Sequence, residues 1–391
     1  MFENLLEQPA VKGRLIHDIK SSSLPSSILF YGPSYSGKMT AALELARTLT
    51  CKTDEALWNC TCKSCNNHRL MNHPFTLITG GRYFFEEISA SADLLLKNDS
   101  PVSRFMFVRN VRKLLKRFDT VLWEGETAKL KKCQSQLASI TDNIELFLPG
   151  EELPEEKKKK KLIDALLNDC KKLALAVPGS TPINQIRKIS NWAHRAGERK
   201  VVILENADHM QDGARNALLK ILEEPPSDLH FILVTTRFGA ILPTIKSRVR
   251  AYGFSGRNEA QCHIVLKRIF KEEDTHFKTL REFFLSHHDI DYSELRKQAA
   301  LFISSVNDKN ILFSEIFPKK FEKDMFIPFL EELTISLNDL LKDSLKSGIN
   351  TRITGNLAKW NKKIRDYSMN FEVLNQSHTL LLESLYYEMK G

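Results

Sequence analysis

The sequence lacks the features that would place the chain in a membrane or an oxidising compartment. No window of about 18 apolar residues is free of charged side chains, which argues against a membrane-spanning helix. Residues 1–8 carry acidic and amide groups where a secretory signal needs basic residues and then an apolar run. The seven cysteines are odd in number and partly clustered, unlike a secreted disulfide framework. We therefore expect a soluble, cytoplasmic protein.

The composition has neither the low apolar content of a disordered chain nor an internal repeat. Of the 391 residues, 42% are hydrophobic and 27% are charged. At roughly 100–200 residues per domain, the length predicts about two to four domains. Lysine and arginine (57) outnumber aspartate and glutamate (48), and the net charge of +9 is compatible with a nucleic-acid or acidic partner. Five of these positive charges are consecutive at Lys157–Lys161, so a purely local excess is an equal alternative.

Short apolar runs separated by helical patterns predict an α/β fold. Ile28–Tyr31, Val201–Leu204 and Phe231–Val234 are each too short for a helix and are bounded by polar or turn residues. Val11–Lys20 and Thr40–Leu49 have apolar residues at helical spacing. Because buried parallel strands alternate with helices in such chains, we expect a parallel sheet flanked by helices.

Two stretches depart from this pattern. Residues 76–180 are highly charged, helical in tone and poor in strand signals, and acidic pairs at 151–152 and 155–156 adjoin the lysine run. Charge blocks of this kind are usually solvated, so we interpret 76–180 as a long helical insertion with a mobile segment near 150–161. From about residue 255 onward no strand alternation remains, which predicts all-α domains.

The segment Gly32–Lys38 matches the first seven positions of a phosphate-binding loop, G-x-x-x-x-G-K, between a predicted strand and a predicted helix. The glycines let backbone N–H groups turn toward phosphate oxygens, and the lysine reaches the β- and γ-phosphates. The hydroxyl that should hold Mg²⁺ is replaced by Met39, whose thioether is a poor ligand for a hard cation. Thr40 lies one position later, about 100° around the helix. We therefore expect a phosphate-binding loop whose metal chemistry is degenerate; a glycine-containing turn with a surface lysine is the alternative.

The predicted strand Val201–Leu204 ends in a carboxylate at the position where an active ATPase holds Mg²⁺. There an Asp binds the metal, and the next residue is a Glu that polarises the attacking water. Here Glu205 occupies the first position and Asn206 the second. An amide cannot act as a base near neutral pH. We interpret this strand end as a second degenerate part of the same site; an acidic strand end without a role is the alternative.

A third set of residues carries a family resemblance. Asn216–Pro226, with the sequence NALLKILEEPP, closely resembles the signature of bacterial clamp-loader AAA+ subunits. Ser247-Arg248 resembles the Ser-Arg-Cys motif of the same family, with Val249 in place of the cysteine. The resemblance covers residues 1–75 and 181–255. It is to the DNA polymerase III clamp loader, most of all to its delta prime type, with the gamma/tau type as the alternative.

This resemblance implies both an architecture and a role. It predicts an AAA+ nucleotide-binding-like domain at 1–254, a helical lid at 255–310 and a helical C-terminal oligomerisation (collar) domain at 311–391. The expected partners are the other clamp-loader subunits (delta, gamma/tau) and, indirectly, the sliding clamp and primer-template DNA within the polymerase III holoenzyme. In that family Arg248 would act in trans on a neighbour's ATP; a surface arginine in a salt bridge is the alternative. The chain's own ATP and Mg²⁺ site would be weak or absent, with the residues Gly32, Gly37, Lys38, Thr40 and Glu205.

Clustered cysteines indicate a metal module. Four of them, spaced C-x8-C-x-C-x2-C, form a plausible tetrahedral set for Zn²⁺: Cys51, Cys60, Cys62 and Cys65. The resembling family carries two residues between the second and third cysteine, where this chain has only Thr61. His68 or His73 could therefore replace one ligand, and buried free thiols are the alternative to zinc. We expect the remaining cysteines to be structural: Cys133, Cys170 and Cys262.

Three functional hypotheses remain open at this stage. The first is a structural clamp-loader subunit that supplies Arg248 to a neighbour, and the second is a gamma/tau-type ATPase subunit of the same loader. Met39 and Asn206 discriminate between these, because an active ATPase needs a hydroxyl and a carboxylate at those positions. The third is a zinc-containing DNA-binding protein that uses the basic insertion, and it leaves the 216–226 signature unexplained.

Overall fold

A computed structural model describes residues 1–53, 55–81, 84–195, 197–273, 276–287, 291–306, 308, 311–317, 321–347, 352–374 and 376–390. The chain divides into two compact units, Met1–His287 and His288–Gly391. This division falls inside the range predicted for the lid. No helix in the described ranges is both long and apolar enough to cross a membrane.

The first unit is built on a parallel sheet that confirms the expected α/β class. Its strands, in chain order, are β1 (Ser27–Tyr31), β2 (Thr76–Thr79), β3 (Lys200–Leu204), β4 (Leu229–Thr235) and β5 (Arg250–Gly253). Their order across the sheet is β2-β3-β4-β1-β5, and each neighbouring pair is parallel. The carboxyl ends of β1, β3 and β4 therefore lie at one edge, where ligands of open α/β sheets bind.

Helices cover both faces of the sheet. Those of the first unit are α1 (Pro9–Lys20), α2 (Lys38–Thr50), α3 (Lys63–Arg69), α4 (Phe84–Lys97), α5 (Pro101–Leu115), α6 (Thr127–Ile144), α7 (Glu156–Ala176), α8 (Ile183–Ala193), α9 (Asp212–Glu223), α10 (Pro243–Lys246), α11 (Glu259–Val265) and α12 (Leu280–Leu285). Those of the second unit are α13 (Tyr292–Val306), α14 (Phe313–Ile316), α15 (Phe326–Ser347), α16 (Arg352–Leu374) and α17 (His378–Lys390).

Alternation along the strands divides the first unit's core into two layers. Ile28 and Phe30 of β1 pack with α1 and α2 on one face of the sheet. Leu29 of β1 and Leu233 of β4 pack on the other face with the insertion helices, α8 and α9. Because both faces are covered, the strands are apolar without a polar alternation, as the sequence indicated.

The insertion is helical but begins later than predicted. Thr76–Thr79 forms β2, an edge strand of the sheet, and the inserted helices are α4 to α7. The strand has only two apolar residues between threonines, too short a run to predict. The lysine run at 157–161, expected in a mobile segment, lies instead in the first turns of α7. There Lys159 is buried and its Nζ lies 2.6 Å from Glu156 Oε1.

The second unit is a helical bundle with an aromatic core. Phe302, Phe329 and Tyr386 are buried together, and the Tyr386 hydroxyl donates a hydrogen bond to the carbonyl of Ile311 at 2.8 Å. The prediction that no strand follows residue 255 holds for the part of the chain that the structure describes.

Candidate functional site

The glycine-rich loop lies between β1 and α2, as predicted. Gly32 and Gly37 have φ angles of +146° and +95°, and a Cβ atom on Gly32 would lie 2.4 Å from the carbonyl oxygen of Phe254. Lys38, the first residue of α2, is buried, and its Nζ donates hydrogen bonds to the Gly32 carbonyl at 2.7 Å and to Ser36 Oγ at 3.3 Å. The lysine ammonium thus forms hydrogen bonds within the glycine-rich loop itself.

Tyr35 ties the same loop to two other elements. Its backbone has φ of +57°, a strained value for a non-glycine residue. Its ring stacks on Phe284 of α12 with centroids 5.3 Å apart, and its hydroxyl donates to Glu86 of α4 at 3.0 Å. The Arg257 guanidinium donates to the Tyr35 carbonyl and, at 3.1 Å, to the carbonyl of Leu6. The glycine-rich loop is therefore held in place by contacts with other parts of the chain.

The position that should supply a metal-binding hydroxyl is apolar. Met39 is buried in the core layer formed with α1 and α2 and offers no oxygen ligand. Thr40, one position later, is only partly buried. The methionine at position 39 thus offers no hydroxyl, and the degenerate magnesium site stays a prediction.

Glu205 pairs with an arginine from the insertion. It directly follows β3 and is buried, and Arg117 Nη2 donates to its Oε2. Arg117 lies in the 3₁₀ turn Lys116–Phe118 after α5, and its Nε also donates to the Gly80 carbonyl at 3.1 Å. The sequence analysis missed this pair because 88 residues separate its members and no local pattern links them.

Asn206 and Asp208 shape the turn after β3. Asn206 has left-handed backbone angles, and its side-chain amide donates to the Gly81 carbonyl at 2.9 Å. Asp208 is buried, accepts from Thr235 Oγ1 at 2.6 Å and from Arg237 Nε at 2.7 Å, and so links the ends of β3 and β4. Asp208 and Arg237 were not predicted, although both lie within a few residues of strand ends that were.

Arg248 lies apart from these groups, beyond α10. Its Nη2 pairs with Glu223 Oε1 at 2.7 Å, and its Nη1 donates to the Thr244 carbonyl at 2.8 Å. Glu223 is the last residue of α9, inside the signature segment, and both side chains of this pair are partly exposed. One surface ion pair therefore connects the two motifs that carried the family resemblance, the signature segment and the Ser-Arg motif.

The four clustered cysteines converge. The sulfurs of Cys51, Cys60, Cys62 and Cys65 all lie within 4.8 Å of one another, and Cys51 Sγ is 3.8 Å from Cys60 Sγ. Thiolates at about 2.3 Å from a tetrahedral Zn²⁺ would be about 3.8 Å apart, so the donor set fits that ion. The shortened spacing around Thr61 does not prevent the four sulfurs from meeting.

The surroundings of the cluster lower the pKa of two of its members, Cys60 and Cys62. Hydrogen bonds from the Thr53 hydroxyl and the Cys62 backbone N–H lower the pKa of Cys60 to about 6. Burial raises the pKa of Cys65, and Arg47 Nη1 lies 3.6 Å from its sulfur. A cation bound among the sulfurs would favour the thiolate form at every position.

The two histidines considered as substitute ligands have other partners. Their rings stack with centroids 4.1 Å apart. His68 Nε2 lies 2.7 Å from Thr50 Oγ1, and His73 Nε2 lies 3.1 Å from Ser64 Oγ. Neither histidine belongs to the set of described residues that could hold an ion, which consists of the four cysteines.

Basic side chains of α5 and the following turn brace the cysteine module. Arg109 Nη1 donates to the Arg69 carbonyl at 2.7 Å, and Arg112 Nη1 donates to the Leu70 carbonyl at 3.1 Å. Lys116 Nζ donates to the carbonyl of His73 at 2.9 Å. Cations placed at the carboxyl end of a helix stabilise its exposed carbonyls, so the insertion supports α3 and the loop after it.

Comparisons with known proteins agree on one family. A sequence model of the family described as "DNA polymerase III, delta subunit" matches residues 7–129 and 123–258, more than half of the chain. The DNA polymerase III subunit delta' of Pseudomonas aeruginosa is 44% identical over 69 residues, which are 17% of this chain and 21% of that protein. The delta' subunit of Escherichia coli K12 is 38% identical over 74 residues, 19% of this chain and 22% of that protein.

A gamma/tau subunit is also similar. That of Mycobacterium bovis is 32% identical over 118 residues, 27% of this chain and 20% of that protein. The chain thus spans about a fifth of the length of these curated relatives. A solved gamma subunit-related protein of Thermotoga maritima matches with 21% identity and a TM-score of 0.28, over 53% of this chain and 78% of that one. By the extent of the family match, the resemblance is confirmed, and this chain belongs to the DNA polymerase III delta subunit family.

Proposed function

We propose that this chain is a delta prime-type subunit of the DNA polymerase III clamp loader that does not itself hydrolyse ATP. The observation that carries the proposal is the state of its nucleotide site. Met39 is buried where a metal-binding hydroxyl is needed, Asn206 replaces the catalytic carboxylate, and Glu205 pairs with Arg117. Without a metal position and a group that polarises water, the site lacks the means for phosphoryl transfer.

The chain then acts on a neighbour rather than on its own nucleotide. In this proposal it is the stator of the loader, beside the delta and gamma/tau subunits, during ATP-dependent loading of the sliding clamp onto primed DNA. Arg248 supplies an arginine finger to an adjoining ATPase subunit. Its pair with Glu223 is partly exposed, and such pairs contribute only about 0–1 kcal/mol, so a γ-phosphate can displace the carboxylate.

A gamma/tau-type ATPase is the second candidate. The Mycobacterium bovis gamma/tau match spans 118 residues, against 69 and 74 for the two delta' matches, and is the observation that favours it. A zinc-containing DNA-binding protein remains the third candidate, supported by the net charge of +9.

We further propose that the cysteine module binds one Zn²⁺. Support comes from four sulfurs within 4.8 Å of one another and from the lowered pKa of Cys60. Four thiolates saturate a tetrahedral ion, so the zinc would have a structural role and no open position for chemistry.

Two measurements on the wild-type chain separate these candidates. The purified chain alone should show negligible ATP turnover, and the tagged chain should co-purify with the other loader subunits from its source. Steady hydrolysis that Lys38→Ala abolishes would contradict the proposal and favour the gamma/tau type. Capture of DNA without any polymerase III subunit would favour the third candidate.

A further inference from the structure

A buried ion pair joins the insertion to the end of β3. Arg117 Nη2 donates to Glu205 Oε2, and the two side chains are only 2% and 7% exposed. Arg117 Nε donates to the Gly80 carbonyl at 3.1 Å, in the turn after the neighbouring strand β2. One guanidinium therefore contacts the carboxyl ends of two adjacent strands.

The turn that carries Arg117 is fixed by independent contacts. The guanidinium carbon lies 5.1 Å from the centre of the Phe84 ring, and the Arg117 carbonyl accepts a hydrogen bond from Trp123 Nε1 at 2.7 Å. Phe118 and Trp123 stack with centroids 5.3 Å apart. On the preceding turns Arg109 and Arg112 bind carbonyls of the cysteine module. Contacts made by residues before and after Arg117 in the chain thus fix the turn that places the guanidinium beside Glu205.

A buried carboxylate must be neutralised, because an isolated charge in the protein interior costs several kcal/mol. In an active nucleotide site of this kind a divalent cation sits beside the acid at the end of this strand. Here a covalently attached cation contacts that acid. A guanidinium attached to the chain has a high effective concentration beside the carboxylate, so a metal ion in solution competes with it poorly.

We propose that Arg117 is a built-in replacement for the divalent cation and determines that this site accepts neither free metal nor a metal–nucleotide complex at Glu205. The inference rests on the degenerate nucleotide site of the proposed function, and it assigns the exclusion to one residue of the insertion. Arg117 is a positioning residue for Glu205, not a catalytic one. Because Met39 and Asn206 remain, removing Arg117 restores no ATPase, and the test measures metal binding.

The test compares four full-length proteins: wild type, Arg117→Met, Glu205→Gln and the double variant. Methionine keeps much of the side-chain bulk but removes the charge. We expect Arg117→Met to lower the melting temperature by about 10 °C, because it removes a buried cation from its contact with a buried carboxylate. MnCl₂ should raise the melting temperature of Arg117→Met in a saturable manner. It should leave the wild type and the double variant unchanged, and Arg117→Lys, which keeps a charge, should respond no more than wild type.

Several outcomes would overturn the inference. One is a wild-type response to MnCl₂ as large as that of Arg117→Met; another is an Arg117→Met response no larger than that of the double variant. If Arg117→Met does not fold, Glu205→Gln alone decides. Glu205→Gln removes the acid that the buried guanidinium contacts and should lower the melting temperature, and an unchanged value would contradict the inference. All proteins are measured without other subunits, so a failure here is distinct from a failure to join a clamp loader.

Discussion

The stacked imidazoles of His68 and His73 are buried bases whose charge depends on pH. Burial lowers the pKa of His73 to about 4, and the nearby Lys116 charge acts in the same direction while Glu198 opposes it. Burial also holds the pKa of His68 well below its usual range, as does the neighbouring His73. Both rings are therefore neutral in the folded protein at physiological pH.

This pair predicts acid sensitivity of the cysteine module. In the unfolded chain a histidine binds its proton near pH 6.5, whereas the folded His73 resists protonation until about pH 4. Its contribution to stability is complete above about pH 6.5 and is lost as the pH falls toward 4. We expect the melting temperature of wild type to fall more steeply over this range than that of His73→Asn, measured by calorimetry. Equal slopes would contradict the assignment, because all other titrating groups are shared.

Elements differ in how far the sequence predicts them. β1, β3 and β4 are buried on both faces, so each carries an unbroken apolar run and was predicted within two residues at either end. β2 and β5 lie at the sheet edges, where the sheet tolerates Thr76 and Arg250, and neither has a recognisable pattern. The length of the apolar run decided which strands could be predicted, because β2 is buried along its whole length but has only two apolar residues between its threonines.

The residues of the candidate site also differ in how far the sequence predicts them. The phosphate loop, Met39 and the strand end at Glu205 were predicted because each is a contiguous motif whose chemistry requires its spacing. Arg117 and Arg257 were not, because they approach the site from distant parts of the chain and only tertiary packing places them there. The shortened cysteine spacing left a histidine open as a substitute ligand, yet the fold brings all four sulfurs together.

Because hydrogen bonds connect α5 to the end of α3, the loss of zinc should have a structural effect that can be measured. We expect about one zinc per chain in anaerobically prepared protein and its loss in Cys60→Ser. Because Arg109 and Arg112 bind carbonyls at residues 69 and 70, metal loss should increase amide hydrogen exchange in α3 and α5 and leave β1 and β4 protected. Cys133→Ser, at a partly buried cysteine outside the cluster, is the matched control. Absence of zinc from the wild type would contradict the proposal.

At the scale of the whole molecule, the chain's own predicted nucleotide site differs from Arg248 in how its residues are engaged. In the predicted nucleotide site of the chain, Tyr35, Lys38 and Arg117 each contact other groups of the same chain. Arg248, in contrast, is partly exposed beside the signature helix and bound by one displaceable carboxylate. Under the proposed function, this chain contributes to hydrolysis through its neighbour, and its activity is measured in the assembled loader.

The most direct test of this account is ATP hydrolysis by the reconstituted clamp loader, stimulated by clamp and primed DNA, with Arg248→Ala in this chain. An exposed arginine contributes little to folding, so the variant should assemble normally. At the one interface it faces, loss of a finger typically costs about 10³–10⁵ in rate, so the total rate should fall in part while the other sites continue. Lys246→Ala, two residues away, is the matched control and should hydrolyse ATP as wild type does. An Arg248→Ala loader that assembles, hydrolyses ATP and loads clamps at the wild-type rate would contradict the central claim.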